Sequence, residues 1–258
     1  MPLLLAGGTL ALAWAERRAP QRPRTQPEPA RTLRNLALGA ASIAVVAALE
    51  GPVTQLLARR AVRRRRGLAQ RLPLPPWARD LAAVLLMDYT IYAWHVLTHK
   101  LPVLWRLHLV HHIDLDLDAS TALRFHAVDM LVSIPWRAAQ VAIFGASPRA
   151  LKAWQSFFFL SVLFHHSNLR LPERLERALS LLLTTPRMHA IHHSADRAAT
   201  DSNWSSGLSL WDRLHGTFRD ELRPLPIGVP AYRDAAATRI GPSLRMPFRR
   251  QRDAWASD

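Results

Sequence analysis

All 12 histidines of this 258-residue chain fall between residues 95 and 215, and eight of them are grouped by spacing. His95 and His99 stand four apart in HVLTH. His108, His111 and His112 form HLVHH, and His189, His192 and His193 form HAIHH. On a helix, residues three and four apart share one face about a turn from each other, so each group presents two or three imidazoles toward one point. Neutral imidazole binds iron, zinc and copper, and eight such ligands suffice for two ions. One HxxxH pair alone is weak, because a lone histidine on a helix is more often a surface or satisfied core residue. Two HxxHH groups and an HxxxH together have no such explanation, since burying that many rings without partners leaves many polar atoms unsatisfied. There is no cysteine. That excludes disulfides, thiolate metal sites, iron–sulfur clusters and a cysteine nucleophile, and leaves nitrogen or oxygen as metal ligands.

The elements that must position these rings are apolar segments separated by basic ones. Residues 1–34 read as a short apolar helix followed by a basic, proline-rich linker over 19–31; Arg17 and Arg18 follow the apolar run, the reverse of a secretory signal. Residues 35–225 form the membrane-embedded catalytic domain, and 226–258 a basic C-terminal tail without clear structure. Segment 36–57 is broken by Glu50-Gly51-Pro52, so it spans once with a kink or turns back there. Residues 77–97 form a helix long enough to cross a bilayer core of about 30 Å, with Asp88 in its middle, where an ionisable group marks a functional site. Segments 127–144 and 151–164 make a helical hairpin with its turn at Gly145-Ala-Ser-Pro148, and Pro135, Arg137 and Gln140 make the first arm a poor lipid-exposed span. Residues 173–183 read as an amphipathic interfacial helix. No internal repeat is present.

A hairpin returns the chain to the face it left, so all three histidine groups lie on one membrane face, as a shared site requires. His126 precedes the hairpin and His165 and His166 end it, which makes His166 and then His126 the ninth and tenth candidate ligands. His165 and His215 read as structural neighbours. The net charge of +15 comes almost wholly from arginine, densest at Arg59-Arg60 and Arg63 to Arg66 after an apolar stretch. Basic runs of that kind contact lipid headgroups or set topology. No recognition helix, zinc finger or basic–aromatic interleaving points to nucleic acid. Arginines flank segment 36–57 on both sides, so they do not orient it.

In this order around a membrane hairpin, HX3H, HX2HH and HX2HH resemble the fatty acid hydroxylase superfamily, which includes sterol desaturases, C-4 sterol methyl oxidases and alkylglycerol monooxygenases. The resemblance runs from about Asp88 to Phe218. It includes Tyr92, Ser120-Thr-Ala-Leu-Arg124-Phe-His126, His166-Ser-Asn168, Thr185-Pro186-Arg-Met-His189, Asp201-Ser-Asn203-Trp204 and Trp211-Asp212-Arg-Leu-His-Gly216-Thr217. Val96, the Trp204-Ser205 pair, His215 and Ala127 depart from the usual pattern, and no box histidine is lost.

The resemblance implies an all-α integral-membrane helical bundle with a face-mounted helical cap carrying a histidine-rich dinuclear metal site. It implies two iron ions, O2, and hydroxylation or desaturation of a lipid, with electrons from an external electron-transfer protein. No Gly-rich dinucleotide fingerprint is present, so no bound nucleotide cofactor is expected. Two divalent ions among neutral ligands carry roughly +4 of charge. Some of Asp88, Asp114, Asp116, Asp196 and Asp201 are therefore expected to accept free imidazole N–H groups, with Tyr92, Asn168 and Asn203 beside them. The alternative for Asp114, Asp116 and Asp118 is a solvated acidic loop. A multi-pass protein of a bacterial inner membrane, with its metal facing the cytoplasm, is the expected setting. Zinc also accepts an all-imidazole site, so a zinc-dependent non-redox membrane enzyme is the alternative function, and a metal-binding or transport protein the third. No glutamate adjoins a box, and the ligands cluster on one face instead of following a path through the membrane.

Overall fold

In the computed structural model, residues 2–223 and 225–256 are described. They form helices and loops without a single β-strand, the only extended pairings being isolated bridges such as Pro20 with Leu169. Helix α1 (Pro2–Arg18) lies against the second hairpin arm, where Gly8 approaches Leu160. Helix α2 (Glu28–Val45) passes through a π-helical turn (Val46–Glu50) directly into α3 (Gly51–Arg63). The break at Glu50-Gly51-Pro52 is thus one wider turn within a continuous span, because proline is tolerated in the first turn of a helix where its missing N–H has no partner to lose. The short α4 (Leu68–Arg71) leads to α5 (Pro76–Lys100), and α6 (Pro102–His112) follows after one bend. The hairpin is α7 (Ala127–Phe144) and α8 (Pro148–His166).

Three stretches are long and apolar enough to cross a membrane: Glu28–Arg71, Pro76–Lys100 and Ala127–Phe144. Their outward residues are apolar, among them Leu33, Ile43, Leu56, Leu81 and Leu131, while Arg31, Asn35, Ser42 and Asp88 are turned inward. That inversion is what lipid as solvent demands. It also explains why α2 starts eight residues before the apolar run: its first two turns are polar on the face that packs inward, and the linker ends at Pro27. At the hairpin tip Gly145 adopts φ +67° and Gly67 φ +88°, and a Cβ on either would collide with the other's backbone. Glycine's freedom at positive φ lets α3 and the hairpin cross there.

Away from the hairpin tip, the chain after α8 forms loops and short helices: α9 (Glu173–Ser180), α10 (Pro186–His192), α11 (Arg197–Thr200), α12 (Leu210–Leu214) and α13 (Ile240–Arg245). The C-terminal tail is ordered here, contrary to its reading as unstructured. Val229, Met246 and Ala254 join Leu38, Leu109, Val110 and Ile113 in one buried cluster, and Arg124 holds Thr238 O and Ser243 Oγ. Its few apolar residues are spaced irregularly, so no period announced them.

The acidic loop after α6 is neither solvated nor in contact with the histidines. Asp114 receives Arg31 Nε at 2.9 Å and Nη2 at 2.8 Å, Arg31 also pairs with Asp118, and Asp116 accepts the backbone N–H groups of Thr25 and Gln26. All three carboxylates and Arg31 are buried. This network straps α2 and the linker to the loop that leads into the hairpin. Replacing Arg31 by methionine leaves two buried carboxylates unpaired, which costs about 3–5 kcal/mol. Chemical unfolding of Arg31→Met in detergent should show that loss, and a change below about 1 kcal/mol would reduce the network to the weight of a surface ion pair.

Candidate metal centre

Nine histidines converge where α5, α6, α8 and α10 meet, in two adjoining groups of four plus His108. His95, His99, His112 and His192 form one group, and His111, His166, His189 and His193 the other, with ligand-capable atoms of each group all within 4.8 Å of one another. His108 lies between them, within reach of His111 and His112. Consecutive residues on a helix point about 100° apart. Each HH pair therefore divides itself: His112 and His192 face the first group, His111 and His193 the second. The HxxxH pair on α5 serves the first group alone, and the final turn of α8 brings His166 to the second.

The free nitrogens fit metal ions. In the second group Nε2 of His166 stands 3.0 Å from Nε2 of both His111 and His189, and Nε2 of His193 is 3.1 Å from that of His189. With metal–imidazole bonds of about 2.1 Å, two ligands at a right angle on one ion lie about 3.0 Å apart. In the first group Nε2 of His99, His112 and His192 is buried without a hydrogen-bond partner, as is Nε2 of His108. Orphaned polar atoms of that number are not tolerated in a packed core without a ligand.

The tautomers are set from behind. Nδ1 of His95 lies 2.7 Å from Trp204 O, Nδ1 of His192 2.9 Å from Ser202 O, and Nδ1 of His166 2.8 Å from Val162 O. A carbonyl only accepts, so each Nδ1 carries the proton and each Nε2 offers its lone pair inward. The expectation that aspartates would do this is corrected: backbone carbonyls hold three of the rings. Among the described residues, the one carboxylate paired with a ring of the cluster is Asp129, whose Oδ2 is 3.5 Å from His108 Nδ1. Sequence reasoning passed over it, although its place three residues after His126 in the first turn of α7 was a signal.

The polar residues expected beside the site act on its scaffold. Asp88 accepts from Trp211 Nε1 at 2.7 Å and from Leu208 N, and Tyr92 meets Thr217, which bonds Asp212. Asp212 accepts the N–H groups of Trp204 and Ser205. Asn203, at φ +52°, donates to Met188 O and Arg219 O. Together they fix the loop whose carbonyls at 202 and 204 hold two imidazoles. Asn168 ties the chain at Arg22, Asp196 caps α11 through Ala199 N, and Asp201 pairs with Lys100. Asp114 belongs to the Arg31 strap. None of these touches a box histidine.

His126 is also corrected. Its Nδ1 accepts Val128 N–H as the cap of α7, its Nε2 faces Leu244 O, and it belongs to neither group of four. His165 is buried with its ring 4.0 Å from that of His189, while His215 stacks on Tyr92 at 5.0 Å away from the centre.

Five of the nine rings, those of His95, His108, His111, His166 and His189, line a cavity of about 470 Å³ that runs between α2, α7 and α8, with Ile43, Val46, Met130, Phe158 and Val162 in its walls. Such a space suits an apolar chain brought up to the histidines.

Comparison with known proteins agrees with this arrangement. Residues 81–217, just over half of the chain, match the fatty acid hydroxylase family. The chain belongs to that family. It is 31% identical over 142 residues to the ornithine lipid hydroxylase of Rhizobium tropici, covering 55% of this chain and 42% of that protein. It is 28% identical over 158 residues to human alkylglycerol monooxygenase, covering 60% and 33%, and 31% identical over 152 residues to a cholesterol 25-hydroxylase-like protein of Danio rerio, covering 55% and 56%. The chain thus spans between about a third and just over half of the length of these relatives. No solved structure matches it.

Burial, reinforced by repulsion from neighbouring imidazoles, holds His111, His112, His189 and His193 far below the usual imidazole pKa; burial likewise takes His192 down to about 3. A lowered pKa in the folded state means that the unfolded chain binds more protons below about pH 6.5, so stability is lost as pH falls through that value. The metal-free protein in detergent should therefore unfold at progressively lower temperature from pH 7.5 to pH 5.5, each such ring contributing up to about 1.4 kcal/mol per pH unit below 6.5. A midpoint independent of pH over that range would mean that the rings take up protons in place.

Proposed function

We propose that this chain is a membrane-bound di-iron lipid hydroxylase that uses O2 and electrons from an external redox protein. One observation carries the reading: two adjoining four-histidine groups, their Nε2 atoms turned inward, stand at the end of a cavity with apolar walls inside a membrane-associated bundle. His95, His99, His112 and His192 would hold one ion, His111, His166, His189 and His193 the other, and His108 adjoins both. Bound there, two irons would supply the activation of O2 and the oxidation of an unactivated C–H bond. Relatives named as hydroxylases and monooxygenases favour hydroxylation over desaturation and iron over zinc.

The chain's own residues do the rest. Carbonyls of Val162, Ser202 and Trp204 keep protons on the Nδ1 atoms and off the inward nitrogens. The walls of α2, α7 and α8 exclude water and align an acyl or ring skeleton toward the histidines. The membrane supplies the substrate from the side, and the cap admits O2 and the donor from water. The many arginines of the cap form a docking surface for an acidic electron carrier, and the cap faces the cytoplasm of a bacterial cell, where such carriers are reduced.

Protein purified in detergent without added metal should carry about two irons per chain. His111→Ala and His192→Ala, one from each group, should each lose at least one of them. With a lipid extract, reductant and isotope-labelled O2, the product should gain a labelled hydroxyl that neither variant makes. Two zincs that no iron replaces would transfer the reading to non-redox chemistry, and no bound metal near neutral pH would overturn the centre itself.

A further inference from the structure

The cavity does not end in hydrocarbon. On α7, Asp129, Ser133 and Arg137 follow one another at intervals of four and all line it. Arg137 thus lies roughly 12 Å further along the helix than Asp129, toward the hairpin tip and away from the histidines. The π-helical turn of the α2–α3 span brings Glu50 to the same cavity, and α8 brings Gln155. Three helices therefore place polar side chains at its far end, beyond walls of Ile43, Val46, Met130 and Phe158.

These groups have little else to do. Glu50 is 8% exposed, and its carboxylate makes no hydrogen bond or ion pair among the described residues. Arg137 packs its guanidinium over the rings of Trp154 and Phe158 at 5.0 and 5.2 Å, and its one hydrogen bond, to Gln140 Oε1, is long at 3.4 Å. The two charges act on each other through space without closing into an ion pair among the described residues. Charges at such depth are expensive, and where they persist they serve a pathway or a ligand. A π turn within an otherwise α-helical span is also a frequent companion of functional sites.

We propose that Glu50 and Arg137 form a subsite for the hydroxyl group of a lipid alcohol, which would place the opposite end of that lipid at the histidines. A hydroxyl both donates and accepts, so it can donate to Glu50 and accept from Arg137 at once. An anionic group is repelled by Glu50 and a cationic one by Arg137. A carboxamide at Gln155 fits either partner. The inference rests on reading the cavity as the hydroxylase's lipid site, and it narrows the substrate to a bifunctional lipid, with an oxygen function distant from the carbon oxidised.

The test is binding to metal-free protein held in amphipol, followed through tryptophan fluorescence, since Trp94 and Trp154 line the cavity. The probes are dodecane, 1-dodecanol, dodecanoate and dodecylamine, which share one chain length. The alcohol should bind about tenfold more tightly than the alkane, the effect of one hydrogen bond to a charged group. Glu50→Gln and Arg137→Met should each abolish that preference while leaving dodecane binding and the iron content on reconstitution unchanged. Equal binding of alcohol and alkane, or a preference that survives both substitutions, overturns the subsite, and so does tightest binding of dodecanoate or dodecylamine. Because the measurement needs neither metal nor turnover, its failure is separate from failure of the hydroxylase reading, which the iron content and the labelled product decide.

Discussion

In the second histidine group Nε2 atoms stand 3.0–3.1 Å apart, an arrangement that a packed interior tolerates only while the rings stay neutral. Every proton added would put a positive charge beside eight other rings, in surroundings where charge is poorly solvated. Three of the nine rings are also held from behind by backbone carbonyls. The loop over residues 201–209 runs past the boxes so that carbonyls 202 and 204 can meet His192 and His95. Asp212, Asn203, Asp88 and Tyr92 hold that loop, and through it they hold the rings. A carboxylate would do the same task with greater basicity, and only His108 is given one, from Asp129. Backbone carbonyls assign three of the tautomers without adding a titratable group.

The bilayer supplies the second constraint. Lipid solvates no polar atom, and the candidate spans turn Arg31, Asn35, Ser42 and Asp88 inward while Leu33, Ile43, Leu81 and Leu131 face outward. Arg31 and Arg124 are fully buried, one between Asp114 and Asp118, the other among Asn35, Val110, Thr238 and Ser243. These networks join the long first span, the loop before the hairpin and the C-terminal segment into one scaffold. A missing partner in such a network costs more than the whole pair contributes, which binds distant parts of the chain to one arrangement.

The segment shared with the family, residues 81–217, carries all nine converging histidines. The flanks supply what surrounds them. Residues 38–50 form one wall of the cavity through Gly39, Ser42, Ile43, Val46 and Glu50, and residues 227–254 close the outside of α6. The clustered histidines and the walls of the cavity are therefore written in different stretches of the chain, the first within the common core and the second partly outside it.

By itself the sequence determined the three boxes and the two arms of the hairpin, because helical spacing and turn residues are local features. His166 was legible for the same reason, as the last turn of a returning helix. It did not determine which carbonyl or carboxylate backs each ring: Asp114 sits two residues from His112 and faces Arg31, whereas Trp204 is distant in sequence and holds His95. Nor did it separate His126, a helix cap, from His166, a neighbour of three other histidines, although both flank the hairpin. The order of the C-terminal tail and the inward polar face of α2 also had no periodic signature. Only the tertiary structure decided these, since a hydrogen bond depends on position in space to within a few tenths of an ångström, and position between segments far apart in the chain is set by packing.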